Sequence, residues 1–170
     1  SKPDDAKTIT NLIKKVYSNV DGKTKYDLII TDATSGIGGN TISFCKNFRE
    51  VIGIEIDKTR FKYLKNNLEI FNLSNYKLYN DDMTKIIPTL KQDIIFVDPP
   101  WGGKNYFKHK NLNLYIGNTE ISILAKNILD NNYCKLLVYK LPFNYNIDNL
   151  LNLEPNYKVN KYLIRKKILM

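Results

Sequence analysis

Apolar positions recur along this chain in two rhythms. Ile9, Leu12, Ile13, Val16 and Tyr17 are spaced by three and four residues, which predicts a helix over 4–20 with one apolar face. Asp21-Gly22 ends it. Short continuous apolar runs follow at 26–31, 51–55, 76–79, 93–97 and 135–141. Each predicts a buried strand. Helical segments lie between them. These are Thr41 to Phe48, Lys58 to Phe71 (with Phe61, Leu64, Leu68 and Phe71 on one stripe), a turn over 84–90 interrupted at Pro88, and Glu120 to Leu129. Residues 104–118 are rich in Lys and Asn and predict an exposed loop. Pro142 ends the fifth strand, 147–153 predicts a short helix, and 157–164 with 165–170 predict a closing antiparallel pair. Alternating buried strands and helices specify an α/β fold, a mostly parallel sheet with helices on both faces. No repeat or linker interrupts it, so residues 1–170 are expected to form a single domain, with a helix over 1–22 packed on its core.

Composition narrows the setting. The chain has 170 residues and is 43% hydrophobic, enough for a packed core. No apolar run approaches the ~20 residues of a membrane span and no signal pattern opens the sequence. No membrane association is expected. Cys45 and Cys134 lie far apart, and His109 is the one histidine. Neither a zinc site nor a disulfide framework fits, so no metal is expected, and both thiols read as small core residues in a reducing compartment, nucleus or cytoplasm. A Cys-His or Ser-His nucleophile pair could use only His109, and nothing near it resembles a nucleophile turn. The net charge is +9. Of the 26 basic residues 23 are Lys, beside 22 Asn and 21 Ile. These residues have AT-rich codons, so the charge divides evenly between a polyanionic partner and the background of an AT-rich organism or large DNA virus.

Candidate chemistry begins after the first strand. Ligands in open parallel sheets bind beyond the carboxyl ends of the strands. Asp32-Ala33-Thr34-Ser35-Gly36-Ile37-Gly38-Gly39 occupies that place, and Glu55 ends the second strand. A terminal acid there can accept from a ribose diol. The turn departs from G-x-G-x-x-G, and Asp32 would repel a phosphate. S-adenosylmethionine suits it better, having an amine, a diol and a sulfonium but no phosphate. Asp82 and Met83, after the third strand, can take the adenine amine and cover its face.

The fourth strand runs into Asp98-Pro99-Pro100-Trp101. An exocyclic amine awaiting methylation must donate its hydrogens while aiming its lone pair at the methyl group. The Asp98 carboxylate and Pro99 carbonyl can accept them, and the prolines hold the backbone in a near-attack arrangement. Trp101 offers a stacking face worth ~1–3 kcal/mol.

Three strings carry a resemblance: Val97-Asp98-Pro99-Pro100-Trp101-Gly102-Gly103-x-x-Tyr106, Gly36-Ile37-Gly38-Gly39-Asn40-Thr41, and Ile54-Glu55-Ile56-Asp57 followed by Asn66-Asn67. Over roughly 26–107 the chain resembles the trimethylguanosine synthase family, the RNA cap guanine-N2 methyltransferases. The resemblance implies a Rossmann-like class I S-adenosylmethionine-dependent methyltransferase fold. Its sheet would be mostly parallel and seven-stranded, with a C-terminal antiparallel hairpin. It implies S-adenosylmethionine as cofactor, S-adenosylhomocysteine as product, and a monomer acting on 7-methylguanosine-capped RNA. Asp32, Ala33, Thr34, Gly36, Asn40 and Thr41 would line the cofactor, with Glu55 and Ile56 at the ribose, Asp82 and Met83 at the adenine, and Asp98 beside them. Pro99 and Pro100 would position the N2 amine. Trp101 would stack on the cationic 7-methylguanine, where cation–π attraction adds selectivity. Asn67 would contact the guanine, and Lys104, Tyr106 and Lys108 would serve the substrate. Family members often carry Ser in place of Asp98, and Lys104 replaces a common Pro. Ser1-Lys2-Pro3 resembles the end of a segment that covers cofactor and cap. The loop bearing Lys104, Tyr106, Lys108, His109 and Lys110 can substitute for the rest.

Methyl transfer to N2 of the cap guanine, once or twice, is the activity this resemblance implies. A guanine-N2 or adenine-N6 methyltransferase for internal RNA or DNA bases is the alternative. The intact set Asp32, Glu55 and Asp82 argues against a fold that binds RNA without chemistry.

Overall fold

Strand β1 (Ile29–Asp32) lies at the middle of a sheet, between β2 (Glu50–Ile54) and β4 (Ile94–Val97). It runs parallel to both, with Ile30 opposite Val51 on one side and Ile94 on the other. In a computed structural model, which describes residues 1–21, 24, 27–103, 105–108, 110–153, 156–164 and 168–170, β3 (Tyr76–Tyr79) and β7 (Leu136–Tyr139) complete the order β3-β2-β1-β4-β7. Strands buried on both faces need side chains that are apolar throughout. Val51, Ile52, Ile54 and all of Ile94–Val97 are accordingly buried.

The elements form for local reasons. α3 (Lys58–Ile70) starts where Asp57 accepts the Arg60 backbone N–H at 2.7 Å, the ordinary N-cap arrangement. It stops at Asn72, whose φ of 52° is a left-handed value Asn tolerates. α1 (Pro3–Asp21) docks on α2 (Gly39–Cys45) through buried Ile9, Ile13 and Tyr17. Polar contacts add register: Thr10 Oγ1 lies 2.7 Å from Ser43 Oγ, and Lys14 Nζ donates to Asn47 Oδ1 at 2.8 Å. Beneath α2, Phe44 meets Phe96 edge-on at 5.2 Å between ring centroids. α4 (Met83–Ile86) and a 3-10 turn at Ile87–Thr89 follow β3.

By contact the chain divides into two compact units, Ser1–Val97 with Tyr133–Val138, and Asp98–Asn132 with Tyr139–Met170. The second holds a 3-10 turn (Tyr106–Lys108), the hairpin β5 (Tyr115–Ile116) and β6 (Thr119–Glu120), α5 (Ile121–Asp130) and α6 (Asp148–Leu151). It also holds β8 (Leu141–Pro142), β9 (Leu163–Ile164) and β10 (Ile168–Leu169).

The structure corrects two expectations. The main sheet has five strands, not seven, and the closing pair belongs to a separate antiparallel sheet ordered β8-β10-β9. The run 135–141 breaks at Lys140, so Leu141 and Pro142 pair with Leu169 and Ile168 in that second ladder. The segment 104–118 is not a plain exposed loop. Leu114 is buried, and Tyr115 pairs with Glu120 across a turn at Gly117. Tyr26, expected to open the first strand, and Arg165 to Lys167 lie outside the described residues.

Cys45 and Cys134 are free and buried. Burial pushes both thiols up to about 12, helped at Cys45 by the negative charge of Asp32. An unfolded thiol ionises near 9.0, so the stability these groups contribute is complete below that pH. It is lost as pH rises toward the folded value. Alkaline titration of the folded fraction by circular dichroism is expected to show this loss, with no reaction of a thiol reagent in the native protein at about pH 8. Phe44→Ala is expected to cost about 3–5 kcal/mol in urea unfolding, against under about 0.5 kcal/mol for Ala at exposed Ile70.

Candidate active site

The order of the sheet reverses between β1 and β4, the switch point at which open α/β sheets bind ligands. The carboxyl end of β1 leads into the glycine turn, and that of β4 leads in sequence to Asp98. Within the first unit the turn is tied together by acids. Asp32, almost fully buried, accepts from Thr41 Oγ1 at 2.6 Å. Its backbone carbonyl takes the Ser35 hydroxyl at 2.9 Å, and Ala33 N–H continues the ladder to Phe96 O. Glu55, also buried, spans the turn. One of its oxygens accepts from Gly36 N at 2.7 Å and the other from Asp57 N at 2.9 Å. Thr34 is half-buried beside them, and Ile56 is two-thirds exposed next to Glu55. Ser1 passes so close to the turn that a Cβ on Gly39 would sit 2.7 Å from its carbonyl oxygen.

Two asparagines brace this arrangement. Asn67, expected at a guanine, uses its amide to hold Ile37 O at 2.8 Å. Asn80, which the sequence did not single out, donates to Glu55 O at 2.7 Å. Asp82 caps α4 through Thr84 N at 2.9 Å, and Met83 is buried. Asn40 is buried, and its Oδ1 has no hydrogen-bond partner among the described residues.

The second unit carries the proline turn. Pro99 is buried, Pro100 exposed, and Gly102 and Gly103 both take positive φ, 83° and 80°, which side-chain-bearing residues rarely adopt. Trp101 packs edge-on against Tyr106 at 5.1 Å, and Tyr106 in turn against Phe107. The indole N–H is buried without a partner among the described residues. Lys108 is exposed on the 3-10 turn, while Lys104 and His109 lie outside the described residues. The strongest contact here was not foreseen. Lys140 Nζ donates to Asp98 Oδ2 at 2.6 Å and sits 4.8 Å from the centre of the Trp101 ring. Burial pushes the Asp98 carboxyl above the usual carboxylate range, and the Lys140 charge and hydrogen bond oppose that rise.

A model of the RNA cap guanine-N2 methyltransferases matches residues 27–168. The chain belongs to that family. An uncharacterized protein of Acanthamoeba polyphaga mimivirus is 38% identical over 142 residues, 82% of this chain and 56% of that protein. Trimethylguanosine synthase of Schizosaccharomyces pombe is 39% identical over 85 residues, 46% of this chain and 35% of the enzyme. The chain therefore spans between a third and three-fifths of these relatives' lengths. Among solved structures, a Streptococcus mutans chain described as a candidate methyltransferase, in complex with SAH, superposes with a TM-score of 0.61 at 14% identity. That match covers 92% of this chain and 94% of the other. The fold is that of the S-adenosylmethionine-dependent methyltransferases, and S-adenosylmethionine is the cofactor of its class.

The residues present fit that cofactor. Residues 32–41, 54–57 and 80–83 contain three sites of carboxylate acceptors and no basic side chain. This is an acceptor set suited to an amine, a diol and an adenine amino group. Each carboxylate oxygen has two acceptor positions, so the backbone bonds to Glu55 leave capacity for ribose hydroxyls. The buried Asn40 Oδ1 is a further acceptor awaiting a donor. Among the described residues no helix is long and apolar enough to cross a membrane, and no group of three ligating side chains could hold a metal ion.

Thr41→Val deletes the hydroxyl that donates to Asp32. It is expected to cost about 1.5–3 kcal/mol, the range for a hydrogen bond to a charged group, seen both in thermal unfolding and in calorimetric affinity for S-adenosylhomocysteine.

Proposed function

We propose that this protein methylates the exocyclic N2 amine of 7-methylguanosine in an RNA cap. The observation that carries this reading is the turn Asp98-Pro99-Pro100-Trp101, directly after Val97 of β4, in a chain of the cap guanine-N2 family. Bound S-adenosylmethionine supplies an electrophilic methyl group on a sulfonium. The chain's own residues then have three tasks.

The first is to hold the cofactor. Asp32, Thr41 and Glu55 form a prebuilt acceptor frame, with Asn40, Ala33, Thr34 and Gly36 around it, Ile56 against the ribose side, and Asp82 with Met83 at the adenine. The second is to present the amine. The Asp98 carboxylate and the Pro99 carbonyl accept its hydrogens, and the two prolines keep that backbone from relaxing. Most of the rate then comes from positioning. A strong base is unnecessary because the alkylated amine is acidic; its proton passes to water or to Asp98. The third is to select the ring. Trp101 stacks on the base, and the positive charge of 7-methylguanine strengthens that contact relative to guanine. Lys108, with Tyr106, lies on the segment that follows Trp101 and serves the triphosphate bridge. Asn67 holds Ile37 O with one amide hydrogen, and its second hydrogen and its carbonyl oxygen are left to meet the guanine.

Incubation of the protein and S-adenosylmethionine with m7GpppA, followed by mass spectrometry, is expected to show one or two added methyl groups at N2, none on GpppA, and inhibition by free m7GTP. Transfer to internal bases of uncapped RNA that m7GTP does not inhibit overturns the reading. Trp101→Ala is expected to raise the KM for the cap analogue roughly five- to 150-fold, the equivalent of one stacked base, with S-adenosylhomocysteine affinity unchanged.

A further inference from the structure

Lys140 is the buried cation that the reading above leaves without a task. Its side chain is 9% exposed, unusual for a residue type almost never buried unless paired. It follows the last residue of β7, at the point where the strand breaks before Leu141. One ammonium makes two contacts 42 and 39 residues back in the chain: Asp98 Oδ2 at 2.6 Å and the face of Trp101 at 4.8 Å from its centre. These are the first and last residues of the proline turn. Pro99 and Pro100 stiffen the middle of that turn, but they do not set the distance between its ends, and Gly102-Gly103 immediately beyond gives the Trp101 side no rigidity of its own.

The geometry points to Lys140 as the positioning residue of the Asp98-Pro99-Pro100-Trp101 turn, bracketing the amine-accepting carboxylate and the stacking ring with a single ammonium. This rests on the methyltransferase reading above. Two consequences follow from the contacts. The ammonium lies against one face of the indole, so that face is closed to a stacking base. It also supplies a counter-charge to a carboxylate that is largely withdrawn from water, which offsets the cost of desolvating it. The pair Asp98–Lys140 therefore acts as one unit, and removing one member leaves the other charge uncompensated. A lysine serves here because its point charge can meet a carboxylate and a ring face together.

Trp101 is the sole tryptophan of the chain, so its fluorescence reports the bracket without any need for activity. Three variants test it: Lys140→Met, Lys140→Arg and Asp98→Asn. Expected for Lys140→Met are altered Trp101 emission, easier quenching by acrylamide and S-adenosylhomocysteine affinity within about twofold of wild type. Its kcat on m7GpppA should fall about 100-fold, the scale of a small misplacement of reacting groups. Lys140→Arg is expected to recover kcat to within about tenfold. Asp98→Asn frees the ammonium from its anchor and is expected to alter Trp101 emission in the same sense. The double variant Asp98→Asn with Lys140→Met should be no worse than Lys140→Met alone.

Wild-type emission and wild-type kcat in Lys140→Met overturn the proposal. So does loss of S-adenosylhomocysteine binding together with a collapse of Tm in all three variants, which marks a purely structural lysine. If the wild-type protein does not methylate m7GpppA, the cap reading fails, while the fluorescence arm still decides the role of Lys140.

Discussion

A parallel strand can place its carboxyl end beside those of its neighbours only if all three run the same way, and β1 is held in that state on both sides. Ile30 is fixed opposite Val51 and Ile94. A shift of one residue would move Asp32 from the strand end and turn each buried side chain to the opposite face. Every candidate group on the main sheet depends on this register. Asp32 ends β1, Glu55 follows β2, Asp82 follows β3, and Asp98 follows β4. The apolar runs that form the strands thus also place four acids at strand ends, one of them, Asp32, at the final residue of its strand.

A carboxylate taken out of water needs hydrogen-bond donors or a counter-charge. Among the described residues, backbone and hydroxyl donors meet Glu55, Asp32 and Asp82, and a lysine meets Asp98. Glu55 takes two backbone N–H groups, Asp32 takes the Thr41 hydroxyl, and Asp82 takes the Thr84 N–H of α4. Hydrogen bonds of this kind stabilise a carboxylate without cancelling its charge at a distance. The turn therefore remains attractive to an amine and to hydroxyl donors. Asn67 and Asn80 hold the same turn from outside by gripping carbonyl oxygens. The proline turn is built on the opposite plan, with a direct ion pair between Asp98 and Lys140 and an aromatic ring against the cation.

Much of this was legible in the residues. The helix over 4–20, the strand at 76–79 and the strand core at 94–97 fell close to the observed elements, because a long amphipathic period and a bounded apolar run are both local signals. The hairpin at Tyr115–Glu120 was missed because two-residue strands are too short to show a period. The extent of the main sheet was overstated because the closing pair was counted in it, whereas that pair joins Leu141–Pro142 in a separate ladder. Asn67 was read from its motif, and the brace its amide gives the glycine turn was not.

By itself the sequence determined the fold class, the cofactor class and the family, since glycine turns, terminal acids and the Asp98–Trp101 string are contiguous signatures whose chemistry is set by residue type and spacing. Tertiary structure decided which of 23 lysines matters to the proline turn. Lys140 has no local feature that separates it from its neighbours in composition. Its role comes from the ending of β7, which brings its ammonium to a carboxylate 42 residues away, and buried charge is costly enough that such a meeting survives only when both partners are in place.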